Sequence, residues 1–172
     1  FRLIFFLYEQ RIGNKKKIVV LSTFYETLNG GAEQMSQEIA ERLGNPYEIS
    51  VITGRFKRPA LKQEKRTGFV IYRVGIGHKY FDKFFYPWLA ARKARRLKPN
   101  IAHAVMESYA GIALVFVSKL YPQAKRLLTL QSGDLDDPRK QKNIGIKIFW
   151  RSIHLTPHKI MAISSFLAKR AE

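Results

Sequence analysis

The sequence predicts an α/β protein with a Rossmann-like, doubly wound, mostly parallel sheet of about six strands and helices on both faces. Short runs of apolar, largely β-branched residues recur along the chain, and segments with helical spacing separate them. The strand runs are continuously apolar instead of alternating, which is typical of parallel strands covered on both faces. Right-handed crossovers between such strands favour a Rossmann-like strand order.

Composition limits the class of protein. The chain has 172 residues, 46% of them hydrophobic, which is enough for one domain with its own core. It contains no cysteine, and this excludes disulfides, thiolate catalysis and cysteine-ligated metals. Every apolar run is interrupted well before the ~18 residues that a membrane-spanning helix needs. We therefore expect a cytoplasmic protein that can at most bind peripherally to the inner face of the membrane.

The two ends of the chain are interpreted separately from the domain. Residues 1–8 lack both the basic leader and the small-residue cleavage site of a signal peptide. Residues 1–14 are interpreted as an N-terminal extension left by an excised start. The Rossmann-like domain is then predicted to occupy residues 15–172.

The first half of the domain predicts the order strand, helix, strand, strand. An apolar, β-branched strand at 18–21 leads to a turn at Gly30 and Gly31, and the helix that follows ends before Gly44. The other elements of this half are strands at 49–53 and 69–74, with a basic loop at 55–66 between them.

The second half alternates helices and strands. Pro87 is suited to the first position of a helix, because the amide hydrogen that proline lacks would have no partner there. That helix is predicted to end before Pro99, and Ser164 is predicted to cap the last helix. The remaining elements are strands at 101–105, 127–130 and 159–163 and helices at 109–120 and 144–153.

The turn after the first strand is the first candidate binding site. In an open parallel sheet, ligands bind beyond the carboxyl ends of the strands, where the strand order reverses. Gly30 and Gly31 allow the backbone to approach a ligand, and the positive end of the following helix attracts phosphate. The alternative is that the glycines only form a tight turn while Glu33 stabilises the first helical turn.

Two further loops carry polar side chains. His103, with Glu107 and Tyr109 after it, could present a neutral imidazole to a sugar hydroxyl or a phosphate. The alternative for His103 is a core histidine with a satisfied hydrogen bond. After the next strand, a carboxylate stands beside neutral hydrogen-bonding groups, which suits a polyhydroxylated ligand, although its acidic residues could equally start a helix. The residues of this loop are Gln131, Ser132, Gly133 and Asp134.

Five stretches, in order and at the expected strand ends, carry a family resemblance. They are KIVVLSTFY, NGGAEQMSQEIAERL, KPNIAHA, LLTLQSGDL and KIMAISSFLAKRA. Together they resemble the N-terminal, acceptor-side domain of a family 4 glycosyltransferase of the GT-B kind, which has two Rossmann-like domains. The resemblance implies a retaining hexosyltransferase that moves a sugar from a nucleotide-sugar donor to an acceptor, without a metal or other cofactor. We expect that acceptor to be a glycan or, if the basic segment described below meets a membrane, a lipid-linked molecule.

The resemblance also implies roles for particular residues. Gly30 and Gly31 match the loop that approaches the donor diphosphate. His103 matches the first histidine of the family's His-x-His, whose second position is Val105 here, and His103 and Asp134 are the catalytic candidates. Residues 131–134 stand where many members carry a His-Gly pair that faces the sugar. The acceptor-binding or sugar-binding candidates are Glu107, Tyr109, Gln131, Ser132 and Gly133.

Most donor contacts in such enzymes belong to a C-terminal domain, including two glutamates separated by seven residues. The resemblance places that domain outside this chain, either in the same polypeptide or in a separate one, as in split glycosyltransferases. We therefore expect the isolated chain to fold but to have little or no transferase activity.

A basic, aromatic segment suggests a surface function. Between residues 55 and 98, 14 Lys and Arg stand against two acidic residues, and the net charge of the whole chain is +18. Aromatic side chains beside clustered cations are typical of segments that meet an anionic membrane. The alternatives are a solvated basic face over packed aromatics and, less favoured, a nucleic-acid-binding module. The predicted membrane-surface residues are Phe84, Phe85, Trp88, Arg92, Lys93, Arg95 and Arg96.

Overall fold

One seven-stranded sheet organises the molecule. The structure is a computed structural model that describes residues 15–25, 30–44, 46–57, 60–131 and 144–169. The strand order is β3-β4-β2-β1-β5-β6-β7, and all neighbours are parallel except β3 and β4. The strands are β1 (Lys17–Leu21), β2 (Glu48–Gly54), β3 (Gln63–Arg66), β4 (Phe69–Val74), β5 (Ile101–Val105), β6 (Lys125–Leu130) and β7 (Lys159–Ala162).

Five helices occupy the described parts of the chain. They are α1 (Gly31–Leu43), α2 (Lys79–Leu97), α3 (Tyr109–Leu120), α4 (Ile144–Leu155) and α5 (Ser165–Lys169). The hydroxyl of Ser164 accepts a hydrogen bond from the amide of Leu167 at 3.3 Å, so the predicted cap is confirmed. None of the helices in the described ranges is both long and apolar enough to cross a bilayer.

The helices cover both faces of the sheet. Because successive residues of a strand point to opposite faces, Ile18 and Val20 of β1 pack in the cluster on the α1 side, whereas Val19 and Leu21 pack with α2 and α3. Without β3, the strand order is the Rossmann order, with β1 at the centre. The predicted doubly wound, mostly parallel α/β fold is therefore confirmed.

The predicted loop at 55–66 was wrong at its end, because β3 forms an antiparallel edge strand on β4. Its sequence, QEKR, contains no apolar residue and carries no strand signal. An edge strand can be polar because both of its faces reach solvent. Glu64 holds it in place through contacts of 2.8 Å to both Arg66 and Arg73, and these guanidinium groups lower the pKa of the Glu64 carboxyl.

The predicted start of the second helix was also wrong, since α2 begins eight residues before Pro87. The turn that leads into α2 explains the early start. The buried carboxylate of Asp82 accepts hydrogen bonds from the amides of Ile76, Gly77 and His78, at 2.8, 2.7 and 3.1 Å. Gly75, with φ +120°, leaves no room for a side chain beside this carboxylate. The Asp82 carboxylate thus holds the turn before the helix, and the Nδ1 atom of His78, the N-cap residue, accepts a hydrogen bond from the amide of Phe81 at 3.3 Å. The helix therefore starts at Lys79, and Pro87 lies inside it.

We expect Asp82→Asn to lower the free energy of unfolding by about 2–3 kcal/mol, because an amide nitrogen would face backbone donors that the carboxylate now satisfies. Chemical denaturation followed by circular dichroism measures the change. Glu41→Gln, on the exposed side of α1, removes the same charge and should shift the free energy by less than about 0.5 kcal/mol. Equal stability of Asp82→Asn and the wild type would contradict the role of Asp82 in holding the turn before α2.

Candidate functional site

The strand order reverses between β1 and β5, and this defines the candidate site. The chain leaves β1 toward α1 on one face of the sheet and leaves β5 toward α3 on the other. Loops that depart in opposite directions leave a crevice at the carboxyl edge of the two strands. The predicted candidates Gly30, Gly31, Glu107, Tyr109 and Gln131 all lie at this edge.

The loop after β1 is held against the end of β2. The buried Thr53 hydroxyl donates to the carbonyl of Thr23 and accepts from the amide of Tyr25, both at 3.1 Å. The amide of Gly54 also donates to the Thr23 carbonyl. These bonds fix the path of the chain before it turns toward Gly30. Sequence reasoning missed Thr53, since a lone threonine in a strand gives no functional signal.

The paired glycines form the start of α1. Gly30 is its N-cap in an extended conformation, without a side-chain hydrogen bond to the first turn. A methyl group on Gly31 would meet no other atom within 4 Å in the described structure, so none of the described residues blocks the approach to the backbone there. A methyl group on Gly30 would instead collide with the Glu33 carboxylate, which therefore lies over the first turn. These observations are consistent with both interpretations of this segment. In one, the helix N-terminus is accessible to a phosphate, and in the other, Glu33 stabilises the first helical turn.

Gln131 joins three of the elements that border the crevice. Its backbone amide lies 3.4 Å from the Glu107 carboxylate, and its side-chain nitrogen donates to the sulfur of Met35 on α1. Met35 stands four residues after Gly31, about one helical turn into α1. The side-chain oxygen of Gln131 is buried without a hydrogen-bond partner among the described residues. A ligand hydroxyl could satisfy such an acceptor, since a buried polar atom without a partner is costly.

The backbone is strained beside Glu107. Met106 has φ +78°, a conformation that residues other than glycine rarely adopt. Its amide donates to the Thr129 carbonyl of β6, and the next residue, Glu107, is buried. Strain of this kind concentrates at functional sites, where the surrounding structure maintains it. No feature of the sequence signals it.

His103 lies in the middle of β5, below the crevice and not in the loop that follows. Its side chain is 1% exposed, and its Nε2 lies 2.8 Å from the Thr129 hydroxyl. Burial lowers the pKa of the imidazole from 6.5 to about 4, so it is neutral at pH 7. The prediction that His103 faces a ligand is corrected: this geometry fits the alternative, a core histidine, because Thr129 already takes its hydrogen bond.

Tyr109 lies at the other border of the crevice. The ammonium group of Lys83, on α2, is 5.3 Å from the centre of the Tyr109 ring and 5.7 Å from that of Phe24, in the loop after β1. Tyr109 therefore packs with a cation that connects α2 to this edge of the sheet. Sequence reasoning did not identify Lys83, which is one of many lysines in its segment.

Three predicted site residues lie outside the described residues: Ser132, Gly133 and Asp134. Their roles, and the catalytic role of Asp134 in particular, stay predictions. The described candidates nevertheless meet at one edge of the sheet, because Gln131 connects Glu107 with the start of α1.

Comparison with solved structures identifies the fold. The chain is similar to sucrose-phosphate synthase from Thermosynechococcus elongatus, with a TM-score of 0.65 and 11% identity over 85% of this chain. A second solved chain of that enzyme matches with a TM-score of 0.62 and 10% identity over 89% of this chain and 79% of its own length. That enzyme is a glycosyltransferase of the GT-B kind. The chain spans 42% of the first solved structure.

These likenesses establish the fold and no finer property, because the identities are so low. Comparison with protein-family models and with curated proteins finds no match. The resemblance to a GT-B domain is thus supported in its fold, whereas the assignment to family 4 is not.

The buried imidazole predicts a pH dependence of stability. The folded-state pKa of His103 lies below the unfolded value, so stability is complete above about pH 6.5 and is lost as pH falls toward 4. From pH 7 to about pH 5 this group should remove about 2 kcal/mol from the free energy of unfolding. Urea denaturation at both pH values measures the loss, and His103→Gln should lack that part of it. Protonation of the imidazole near pH 6.5, seen by NMR, would contradict the buried arrangement.

Proposed function

We propose that this chain is the acceptor-side domain of a retaining glycosyltransferase similar to family 4. It would act in the transfer of a sugar from a nucleotide-sugar donor to a glycan or lipid-linked acceptor, without a metal cofactor. The supporting observation is the meeting of an open, glycine-initiated helix N-terminus with the buried Gln131 and Glu107 at the point where the strand order reverses. The fold shared with a glycosyltransferase is consistent with this proposal.

The start of α1 is the proposed contact for the donor diphosphate. Amides of the first helical turn lack intrahelical acceptors, and the helix dipole places partial positive charge there. Gly31 leaves this end of the helix open, so that phosphate oxygens could approach the backbone. The Glu33 carboxylate occupies the same region, and a bound diphosphate would have to displace it.

Gln131 and Glu107 are the proposed contacts for sugar or acceptor hydroxyls. The Glu107 carboxylate orients the Gln131 backbone, while Met35 fixes the side-chain nitrogen of Gln131. This leaves the side-chain oxygen of Gln131 to accept a hydrogen bond from a hydroxyl. In this proposal the neutral His103 does not contact the ligand. It holds the Thr129 hydroxyl in place beneath the crevice.

A second Rossmann-like domain is part of the proposal. The chain corresponds to less than half of the first solved structure that it resembles. The family resemblance assigns most donor contacts to a C-terminal domain, in the same or a separate polypeptide. The residues of this chain would then position the diphosphate and the acceptor, whereas the partner domain would bind the nucleotide.

Binding of inorganic pyrophosphate to the purified chain tests the proposed diphosphate contact. In the wild type, NMR should show the largest shifts at the amides of Gly31 and Ala32. Gly31→Ala should weaken binding about fivefold, because its methyl group enters the open approach and costs about 1 kcal/mol of anion binding. The same change should raise the free energy of unfolding by up to about 1 kcal/mol, since alanine favours a helix over glycine.

Glu33→Gln is the matched variant for this test. Removal of its negative charge should strengthen pyrophosphate binding about two- to fivefold by the same electrostatic argument. Glu41→Gln, two turns farther along α1, should leave the affinity unchanged because the dipole effect is confined to the first turn. Shifts that avoid the start of α1, or equal affinities of all variants, would refute the diphosphate site.

The proposal also predicts how the isolated chain behaves with nucleotide sugars. We expect the purified chain to release no nucleotide from such donors at ordinary enzymatic rates, about 1–1000 per second. The reason is that the donor-side contacts lie in another domain. Coupled assays of nucleotide release measure this rate. Turnover at ordinary enzymatic rates by the chain alone would refute the proposal that a second domain supplies the donor contacts.

A further inference from the structure

The outward face of α2 has two chemically different halves. Residues on its solvent-facing side recur at helical spacing over about 22 Å. The four in the first half are aromatic, and Phe84, the most exposed of them, is 74% exposed. The three in the second half are arginines, all exposed. In chain order the stripe consists of Phe81, Phe84, Phe85, Trp88, Arg92, Arg95 and Arg96.

The aromatic half continues onto two neighbouring helices. The Trp88 ring lies 5.6 Å from that of Phe116 on α3, and Phe116 lies 5.7 Å from Phe149 on α4. Beside Phe149, Ile148 is 70% exposed. Phe116 and Phe149 are themselves partly buried against the core, so the exposed apolar group consists of the four α2 aromatics and Ile148. Exposed apolar groups of this kind mark interaction surfaces.

The arginine half is free to bind anions. Within the described ranges, Arg92, Arg95 and Arg96 take part in no ion pair. Lys93 differs from these arginines, because its ammonium lies 3.7 Å from the centre of the Tyr72 ring, and burial, with a smaller effect of Arg96, lowers its pKa. Lys93 is half-buried, and its membrane-surface role stays a prediction.

We propose that this stripe docks on an anionic lipid bilayer. Aromatic rings are stable at the boundary between headgroups and acyl chains, and arginines bind anionic headgroups, so a bilayer satisfies both halves. A nucleic acid would occupy the arginines but leave the exposed aromatic side chains of α2 uncovered. A second copy of this chain would bring together two molecules of net charge +18, whose repulsion disfavours pairing.

Docking in this way brings the crevice to the membrane surface. The aromatic half is the N-terminal half of α2, which begins at the carboxyl edge of the sheet. Lys83 in this half contacts both Phe24 and Tyr109 at the border of the crevice. If the proposed function holds, the acceptor is therefore a lipid-linked molecule. The docking itself does not depend on the proposed function.

Vesicle co-sedimentation tests the docking without any sugar substrate. The wild type should sediment with vesicles of phosphatidylcholine and phosphatidylglycerol and stay in solution with phosphatidylcholine alone. The triple variant Arg92→Glu, Arg95→Glu, Arg96→Glu should partition at least about tenfold less. Lys57→Glu, Lys62→Glu, Lys65→Glu makes the same change of charge at the β3 edge and should stay within about threefold of the wild type.

The aromatic half is tested separately, through the fluorescence of Trp88. The chain has two tryptophans, so Trp150→Phe leaves Trp88 as the only one. Its emission should shift to the blue on anionic vesicles, and brominated acyl chains should quench it. Phe81→Ser with Phe84→Ser should weaken partition by about tenfold, since two exposed aromatic anchors are lost.

Three results would overturn the proposal. One is sedimentation of the arginine variant equal to that of the wild type. Another is Trp88 emission that is unaffected by bound vesicles. The last is failure of the wild type to sediment with either kind of vesicle. This result would overturn the proposal even if the protein forms dimers or binds an oligonucleotide through the arginines. Failure of pyrophosphate to bind at α1 would refute the proposed function alone, so the two failures are distinguishable.

Discussion

The parallel pairing of β1 with strands on both sides is the constraint on which the rest of the structure depends. Its neighbours β2 and β5 align the carboxyl ends of three strands at one edge. The chain must then leave β1 toward one face of the sheet and β5 toward the other, because each crossover is right-handed. This arrangement produces the crevice, places α1 beside it and brings the polar loops together at the same edge of the sheet.

Buried polar groups at this edge are arranged in two layers. In the lower layer, His103 and Thr129 satisfy one another, and desolvation keeps the imidazole neutral. In the upper layer, Gln131 connects Glu107 with Met35, so that residues distant in sequence are held in one geometry. The lower pair lies within the sheet. Among the described residues, the side-chain oxygen of Gln131 has no hydrogen-bond partner, and a ligand hydroxyl could supply one.

Helix α2 lies between the border of the crevice and the molecular surface, and it contributes residues to both. Its inner side packs small and buried residues, such as Ala90 and Ala94, on the sheet and α3, and the Tyr86 hydroxyl donates to the Ile52 carbonyl at 3.0 Å. Because this packing uses only one side, the aromatic and arginine residues are left on the other. The Asp82 carboxylate holds the turn that leads into the helix, and the His78 side chain caps the first turn.

The sequence by itself determined the elements that carry a periodic apolar pattern, including β5 and α3 with their observed bounds, and the Rossmann-like class that their alternation implies. Local patterns could not predict β3, whose polar residues reach solvent, or the first turns of α2, where His78 caps the helix and Asp82 holds the turn before it. Only the tertiary structure decided that His103 pairs with Thr129 and that Gln131 reaches Met35, 96 residues away in sequence. The physical reason is that the apolar pattern of a helix or strand shows which of its sides is buried. It does not show which other element packs against that side, and a site depends on side chains from several elements that come into contact.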